Sequence, residues 1–591
     1  MKEHVHRWLC LGLLSLLAAC AAPGQPATQA AGPASAPPAT QAAAAAYDAG
    51  MDIFHPVAAR HGMVVAEQAQ AAQAGLEMLR AGGNAVDAAV AVGFTLAVTL
   101  PNAGNLGGGG FMMVHQAGGQ DFALDFRETA PGRATRDMYL DAHGKVVDGR
   151  SLHTHQAVGV PGTVAGLTHA LARWGSLPLE QVMAPAIRLA QQGYPVSPTL
   201  ADALAKNAEP MGRWPATRKI FWRDGRPLRA GERLVQRDLA RTLRLIAREG
   251  AHAFYQGPIG DGIAAEMARH GGLITRQDLA GYRAIERQPI VGTYRGYRIV
   301  TMPPPSSGGI HMVQILNMME SWPIAQWGAG SARTLHHMAE AMKLAYADRA
   351  EYLGDTDFVR VPVAGLVSKA YARHLAAGIA PERARPAADV RPGRPQPYES
   401  DQTTHFSVAD AAGNAVAVTY TLNTNFGSGI VAEGTGILLN NEMDDFSAKP
   451  GVANVYGLIG GEANAIQAGK RPLSSMTPTL VLRDGRPWLV TGSPGGARII
   501  TTVLETVTDA IDFGMNPAES AARPRFHHQW QPDELRVEKG FSPDTLALLR
   551  RYGHRIAVKP AMGRTQTILI RDGMLYGASD PRNPDGAALG Y

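Results

Sequence analysis

The choice of nucleophile in this chain is narrow. Both cysteines, Cys10 and Cys20, lie in the first 20 of 591 residues. A catalytic group in the body must therefore be Ser, Thr, Asp, Lys or a metal held by His and carboxylates. No G-x-S-x-G elbow and no H-E-x-x-H run occurs. His153-x-His155 and His336-x-x-x-Glu340 have metal-compatible spacing, but neither shows an evident third and fourth ligand, and His527-His528 is equally bland. The expectation is no metal. Thr403 remains. A threonine hydroxyl is a weak nucleophile unless a base adjoins it, and an N-terminal threonine carries that base as its own α-amine. That amine titrates near about 7.7–8.0, so part of it is neutral at pH 7. Thr403 starts the run Thr403-Thr404-His405-Phe406-Ser407 directly after a Pro/Arg-rich stretch, 380–400. A cut between Gln402 and Thr403 would free the amine. The same residues also suit an ordinary β-branched strand start.

Downstream, Gly492-Ser493-Pro494-Gly495-Gly496 lies between a strand pattern and a helix pattern starting at Ala497. Consecutive amides at a helix N-terminus suit a developing oxyanion. A plain strand–helix turn fits them as well. Gly107–Gly110 lacks the Lys-Ser/Thr of a phosphate loop and reads as a place of close backbone packing.

The elements that would carry these residues follow from periodicity. The spacing predicts a helix over 66–80, ended by Gly82-Gly83, and a second, buried helix over 84–100. Phe111–His115 and Phe122–Phe126 read as a hairpin turned at Gly118-Gly119, with Arg127 just beyond it. From 164 to 346 the pattern is mostly helical, clearest over 332–349. Five prolines and four arginines make 380–400 an exposed loop, open to cleavage. After it the period changes from 3.6 to 2. Hairpins are expected at 404–420, 479–491 and 565–578, with one helix at 497–511. Helix-rich sequence before strand-rich sequence argues an α+β fold in layers.

Long motifs then point to a family. Thr403–Val408, Thr419-Tyr420-Thr421-Leu422-Asn423, Asn441-Glu442-Met443-Asp444-Asp445-Phe446, Arg471–Met476 and Gly492–Gly496 resemble γ-glutamyltranspeptidase (γ-glutamyltransferase/glutathione hydrolase). The resemblance extends to Gly82–Ala89, Asn105–Phe111 and Asp125–Glu128. It implies an N-terminal-nucleophile hydrolase with a four-layer αββα sandwich, whose precursor cuts itself into large (48–402) and small (403–591) subunits that form a heterodimer. Carried over by position, Thr403 is the nucleophile and Thr421 orients it. The amides of Gly495 and Gly496 form the oxyanion hole. Asn423, Glu442 and Asp445 take the α-ammonium of the γ-glutamyl group. Arg127, Ser474 and Ser475 take its α-carboxylate. Many bacterial members carry glutamine where this chain has Glu442. Pro450–Gly461, with Tyr456 central, resembles the family's lid, and its presence argues against acylase-like and polyglutamate-anchoring relatives. The implied substrates are glutathione and other γ-glutamyl compounds, with water, amino acids or dipeptides as acceptors and no cofactor. A glutaryl-cephalosporin-type acylase and an inactive surface lipoprotein are the competing readings.

The start of the chain reads as an export signal. Lys2 and Arg7 precede an apolar run of about 11 residues, too short to span a bilayer. Leu17-Ala18-Ala19-Cys20 resembles a lipobox, giving a signal peptide at 1–19 and a lipidated Cys20 on an Ala/Pro-rich tether, 20–47. The expected location is the periplasm, on the outer membrane through the lipid alone. Hydrophobic residues are 45% and charged residues 18%, an ordinary globular balance. A net charge of +5 without a dense Lys/Arg stripe gives no footprint for nucleic acid.

Overall fold

The computed structural model describes residues 47, 50–395 and 405–591. Cys20, Gln402 and Thr403 lie outside them. Two seven-stranded antiparallel sheets form the centre. The strands in chain order are β1 (Val57–Ala59), β2 (Gly62–Ala66), β3 (Gly109–His115), β4 (Asp121–Phe126), β5 (Ile285–Arg287), β6 (Ile290–Tyr294), β7 (Tyr297–Thr301), β8 (Phe406–Asp410), β9 (Ala415–Thr421), β10 (Thr479–Arg483), β11 (Arg486–Thr491), β12 (Gln566–Arg571), β13 (Met574–Ser579) and β14 (Ala587–Gly590). One sheet runs β14-β2-β8-β9-β3-β4-β5, the other β1-β13-β12-β11-β10-β7-β6.

Both faces of each sheet are covered, so the inner strands read as unbroken apolar runs. In β3, Phe111 and Met113 pack with Val300, Leu480 and Val490 between the sheets. Met112 and Val114 belong to the outer core under helices α1 (Ala69–Arg80) and α2 (Ala85–Thr99). Every residue of α2 is buried, as a helix apolar on nearly all sides requires. Its start is fixed by Asn84, whose Oδ1 accepts from Val86 N at 2.8 Å while Asn84 N donates to Asp87 Oδ2 at 2.7 Å. Helices α3 (Gly308–Met319), α4 (Ala332–Tyr352) and α5 (Ile499–Ile511) cover the other sheet. The order is αββα.

Several sequence expectations need correction. The first helix begins at Ala69, because Gly62–Ala66 pairs with β8, Val64 opposite Val408. The stretch read as mostly helical contains β5, β6 and β7, and β7 is an inner strand paired with both β6 and β10. The helix expected from Ala497 opens as a 3₁₀ turn, Gly496–Arg498, before α5. The described part of the Pro/Arg stretch is the exposed loop expected, with Pro381, Glu382, Arg383, Pro386, Ala388 and Asp389 all exposed, but it is pinned to the body at three amides. Ala384 N donates to Tyr552 O at 2.7 Å, Ala387 N to Asp533 Oδ2 at 2.8 Å and Gly393 N to Asp348 Oδ1 at 2.7 Å. Prolines exclude an α-helix there, leaving only a 3₁₀ turn at Ala387–Asp389, but do not prevent groups of the body from satisfying its amides.

Candidate active site

Three glycines set the floor of the site. A Cβ at Gly107 would lie 2.1 Å from Leu438 O, at Gly108 1.9 Å from Thr421 O, and at Gly110 2.4 Å from Thr419 O. Only a bare backbone lets β3 and the turn before it press against the end of β9. Asn105 Nδ2 adds a hydrogen bond to Thr421 O at 2.9 Å. Thr421 is thereby fixed, and its Oγ1 accepts from Asn423 N at 2.8 Å. Asn423 takes a left-handed conformation (φ 77°), and its Oδ1 is buried without a partner.

Above this floor is a cavity of about 300 Å³, lined by Thr421, Asn423, Glu442, Asp445, Tyr456, Ser474, Ser475, Gly495 and Gly496. Residues scattered over 75 positions thus meet at one spot. Gly495 and Gly496 have φ of 143° and 57°, and neither amide has an acceptor among the described residues. Tyr456 closes one side. Its hydroxyl donates to Asn423 O at 2.5 Å, and a Cβ on Gly496 would meet its ring at 2.5 Å. Asn454 Nδ2 reaches Asp445 Oδ1 at 3.2 Å and Gln529 Nε2 reaches Gly457 O at 3.2 Å, so this segment lies against the cavity wall.

Arg127 is placed behind the wall. Fully buried, it bonds Glu442 Oε1 through Nη1 and Asp445 Oδ2 through Nη2, the latter at 2.6 Å. Glu128 Oε2 lies 3.6 Å from the same guanidinium. Three carboxylates thus share one cation. Burial pushes the Glu442 and Asp445 carboxyls above the ordinary range despite Arg127, and brings Glu128 to about 7. Beside Ser474 and Ser475, Arg349 donates to Ser307 Oγ at 2.8 Å and Ser475 Oγ at 3.4 Å. Burial lowers it to about 10, only partly offset by Tyr346 and Asp445.

Sequence reasoning did not single out Arg349, Arg498 or Arg564, which also line the cavity. Arg349 reads in sequence as the polar end of a helix, and only the packing of α4 turns it inward. His405 enters the sequence reading only as a member of the Thr403–Val408 motif. Its Nδ1 and Thr419 Oγ1 are 3.0 Å apart, its Nε2 and Ser407 Oγ 2.6 Å, and it packs where a Cβ on Gly492 would sit. Burial lowers it to about 3, so it is neutral. It ties the strand that follows Thr403 to the loop carrying Gly495.

Two His/Glu groups gather among the described residues: His155, Glu266 and His270, and His336, Glu340 and His554. Neither lines the cavity. His153 does not join the first. His527 and His528 turn to different partners, Thr501 with Gln529 and Asp533.

Comparison with known proteins agrees with this geometry. The glutathione hydrolase proenzyme of Escherichia coli K12 is 58% identical over 542 residues, 91% of this chain and 93% of that one. A cephalosporin acylase from Bacillus halodurans superposes with a TM-score of 0.81 at 32% identity, covering 93% of this chain and 99% of its own. A Helicobacter pylori gamma-glutamyltranspeptidase structure gives 0.55 at 46% identity over 56% of this chain and 94% of its own. The family model described as gamma-glutamyltranspeptidase matches residues 71–590, and this chain belongs to that family.

Proposed function

We propose that the chain is a γ-glutamyltransferase and glutathione hydrolase that matures by cutting itself between Gln402 and Thr403. Strands from before 395 and after 405 share both sheets, which supports a large and a small subunit staying together as a heterodimer after the cut.

The observation that carries the substrate assignment is the cluster of three buried carboxyl groups, Glu128, Glu442 and Asp445, around the single guanidinium of Arg127, with Glu442 and Asp445 at the wall of a cavity that Arg349, Arg498 and Arg564 also line. An α-ammonium entering there pairs with the two wall carboxylates, with Asn423 Oδ1 as a further acceptor. The α-carboxylate of the same head group goes to Ser474, Ser475 and the planar fork of Arg127. Binding is then an exchange of partners. The internal Arg127–carboxylate pairs open, and each charge meets its opposite on the zwitterion. The Thr403 hydroxyl attacks the γ-amide carbon while its α-amine takes the proton. The Gly495 and Gly496 amides hold the oxyanion. The departing amine leaves with that proton, and an ester remains on Thr403. Water releases glutamate, or an amino acid or dipeptide amine takes the γ-glutamyl group. Tyr456 keeps the cavity shut during the first step.

Denaturing electrophoresis with N-terminal sequencing tests this directly. Wild type is expected as two bands, the smaller starting at Thr403. Thr403→Ala should stay one inactive chain, and Thr403→Ser should process and turn over slowly. A normally cut Thr403→Ala protein refutes self-processing. The likeness to a cephalosporin acylase favours one second reading, activity on glutaryl amides. Comparable kcat/KM for glutaryl and γ-glutamyl amides would establish it.

We also propose that Cys20 is lipidated and holds the enzyme on the periplasmic face of the outer membrane. No described helix is long and apolar enough to cross a membrane. Cys20→Ser should move the protein to the soluble fraction. Wild type that is soluble and free of lipid by mass spectrometry would refute the anchor.

A further inference from the structure

His155, Glu266 and His270 come together from parts of the chain 111 residues apart. His155 opens a short 3₁₀ turn, His155–Ala157. Glu266 lies in the helix Pro258–Arg269, and His270 caps its C-terminus one turn later, on the same face. We propose that these three side chains form a binding site for a divalent transition-metal ion of the zinc type, separate from the catalytic cavity.

The spacing supports this. Ligand atoms at about 2.0–2.1 Å from a tetrahedral zinc ion lie about 3.3 Å from one another. His155 Nε2 is 3.0 Å from Glu266 Oε1, and His270 Nε2 is 3.5 Å from the same oxygen. All three ligand atoms are within 4.8 Å of one another. Two imidazoles and one carboxylate are a donor set suited to zinc, with water in a fourth position. His155 and Glu266 are buried, and the Trp214 ring stands edge-on to His155 at 4.9 Å, so two ligands are held in place. His270 stacks over His155 at 4.7 Å, and because it is exposed its ring can turn off that stack to aim Nε2 at an ion entering from solvent.

The second shell and the charge also fit. Arg269 Nη2 donates to Glu266 Oε2 at 2.8 Å, fixing the carboxylate while leaving Oε1 for the metal. Arg269 also pairs with Glu433 at 3.2 Å. Two carboxylates against one guanidinium leave one negative charge for a dication. The other His/Glu group shows what an unsuitable cluster looks like. There, Lys343 Nζ is 2.6 Å from Glu340 Oε1, where the metal would have to sit. His336 already spends both ring nitrogens, on His554 Nε2 and Ala380 O, each at 2.8 Å.

The test is equilibrium binding of Zn²⁺ alone to the processed, tag-free enzyme. One ion per heterodimer is expected. His270→Ala removes an exposed ligand without opening the core, and should weaken that binding by on the order of 100-fold, at least the loss typical of a second-shell partner. His554→Gln should bind zinc like wild type. Co²⁺ should give the intense visible bands of a four-coordinate site in wild type and not in His270→Ala. Zinc should also raise Tm in wild type only. Less than one ion bound by wild type, or equal binding by His270→Ala, overturns the assignment. Turnover of γ-glutamyl amides without zinc should be the same in both proteins, which separates this outcome from any failure of the catalytic reading.

Discussion

Arg525 and Arg127 are both fully buried arginines held by carboxylates, and they differ in how many carboxylates each must satisfy. Arg525 Nη2 binds Asp580 Oδ2 at 2.6 Å, and Arg582 bonds Asp580 Oδ1 at 3.2 Å and also Glu538. Two cations meet two anions, and none of the four lines the cavity. Burial pushes the Asp580 carboxyl up, but the two guanidiniums outweigh it and hold it below its ordinary value. Around Arg127 one guanidinium meets three carboxyl groups, with Arg349 acting on Asp445 as well, and burial prevails, raising all three. A balanced cluster is complete in itself and serves to hold β12 and β13 to the loops beside them. An unbalanced cluster facing a cavity is complete only with a ligand of the missing charge. If Arg127 binds substrate as proposed above, the number of carboxyl partners distinguishes it from Arg525 where burial does not, since both are equally buried.

The largest expected effect falls on the unbalanced side. Asp445→Ala should cut kcat/KM for a γ-glutamyl amide by about 10⁴-fold, the scale on which a site built for a polar group loses when that pairing goes. It should narrow the gap to the glutaryl amide, which lacks only the α-amino group, and leave Tm unchanged or higher. An Asp445→Ala enzyme that still prefers γ-glutamyl amides as strongly as wild type breaks the comparison. Next is the balanced side. Arg525→Leu leaves Asp580 with half its compensation and should cost about 3–5 kcal/mol of stability by chemical denaturation. A loss under about 1 kcal/mol would mean the cluster is not the structural element its charge count implies. Arg127→Lys should be milder than either. A point charge replaces a planar fork and loses one charge-assisted hydrogen bond to the substrate carboxylate, about 1.5 kcal/mol, or about tenfold in KM. A change confined to kcat would place Arg127 away from the ground-state carboxylate.

The sequence was most legible where chemistry forces residue type. The three hairpins after 403 were found because each pairs alternation with a turn, as in Asp484-Gly485 and Asp572-Gly573. The buried helix α2 was found from its small apolar composition. The hairpin β6–β7 was missed although it carries the same marks. Arg295-Gly296, both at positive φ, join two β-branched runs. A helical reading of the whole 164–346 stretch overrode that local signal. Of the nine cavity residues, Gly495 and Gly496 are legible from their own chemistry, and the other seven only through motifs. Arg349, Arg498 and Arg564 belong to no motif, and nothing local distinguishes an arginine turned into a cavity from one facing water. The crowding of carboxyl groups on Arg127 was likewise invisible, because it depends on Glu128 and the turn at 442–445 meeting across more than 300 residues.

That crowding has a consequence that needs no substrate. Glu128 is the one carboxylate of the three that does not line the cavity, and neither of its oxygens has a hydrogen-bond partner. Burial, opposed chiefly by Arg127, raises it from 4.5 to about 7. The folded protein therefore keeps a proton that the unfolded chain gives up near 4.5. Below that value both states hold the proton and there is no penalty. Between about 4.5 and 7 the unfolded state binds fewer protons than the folded one, so stability falls as pH rises. Above about 7 the penalty is complete. Glu128→Gln keeps the shape, which matters because a Cβ on Gly109 would sit only 2.7 Å from Glu128 Oε2, and removes the ionisation. Its Tm should match wild type near pH 4.5 and exceed it at pH 8 by an amount equivalent to about 1–3 kcal/mol, the usual cost of a buried polar group without partners. Turnover should be retained, since Glu442 and Asp445 still supply the charge for the ammonium. Thermal scans of both proteins from pH 4.5 to 8 decide it. Parallel curves would mean that Glu128 carries no surplus charge at any pH, and that Arg127 is as well balanced as Arg525.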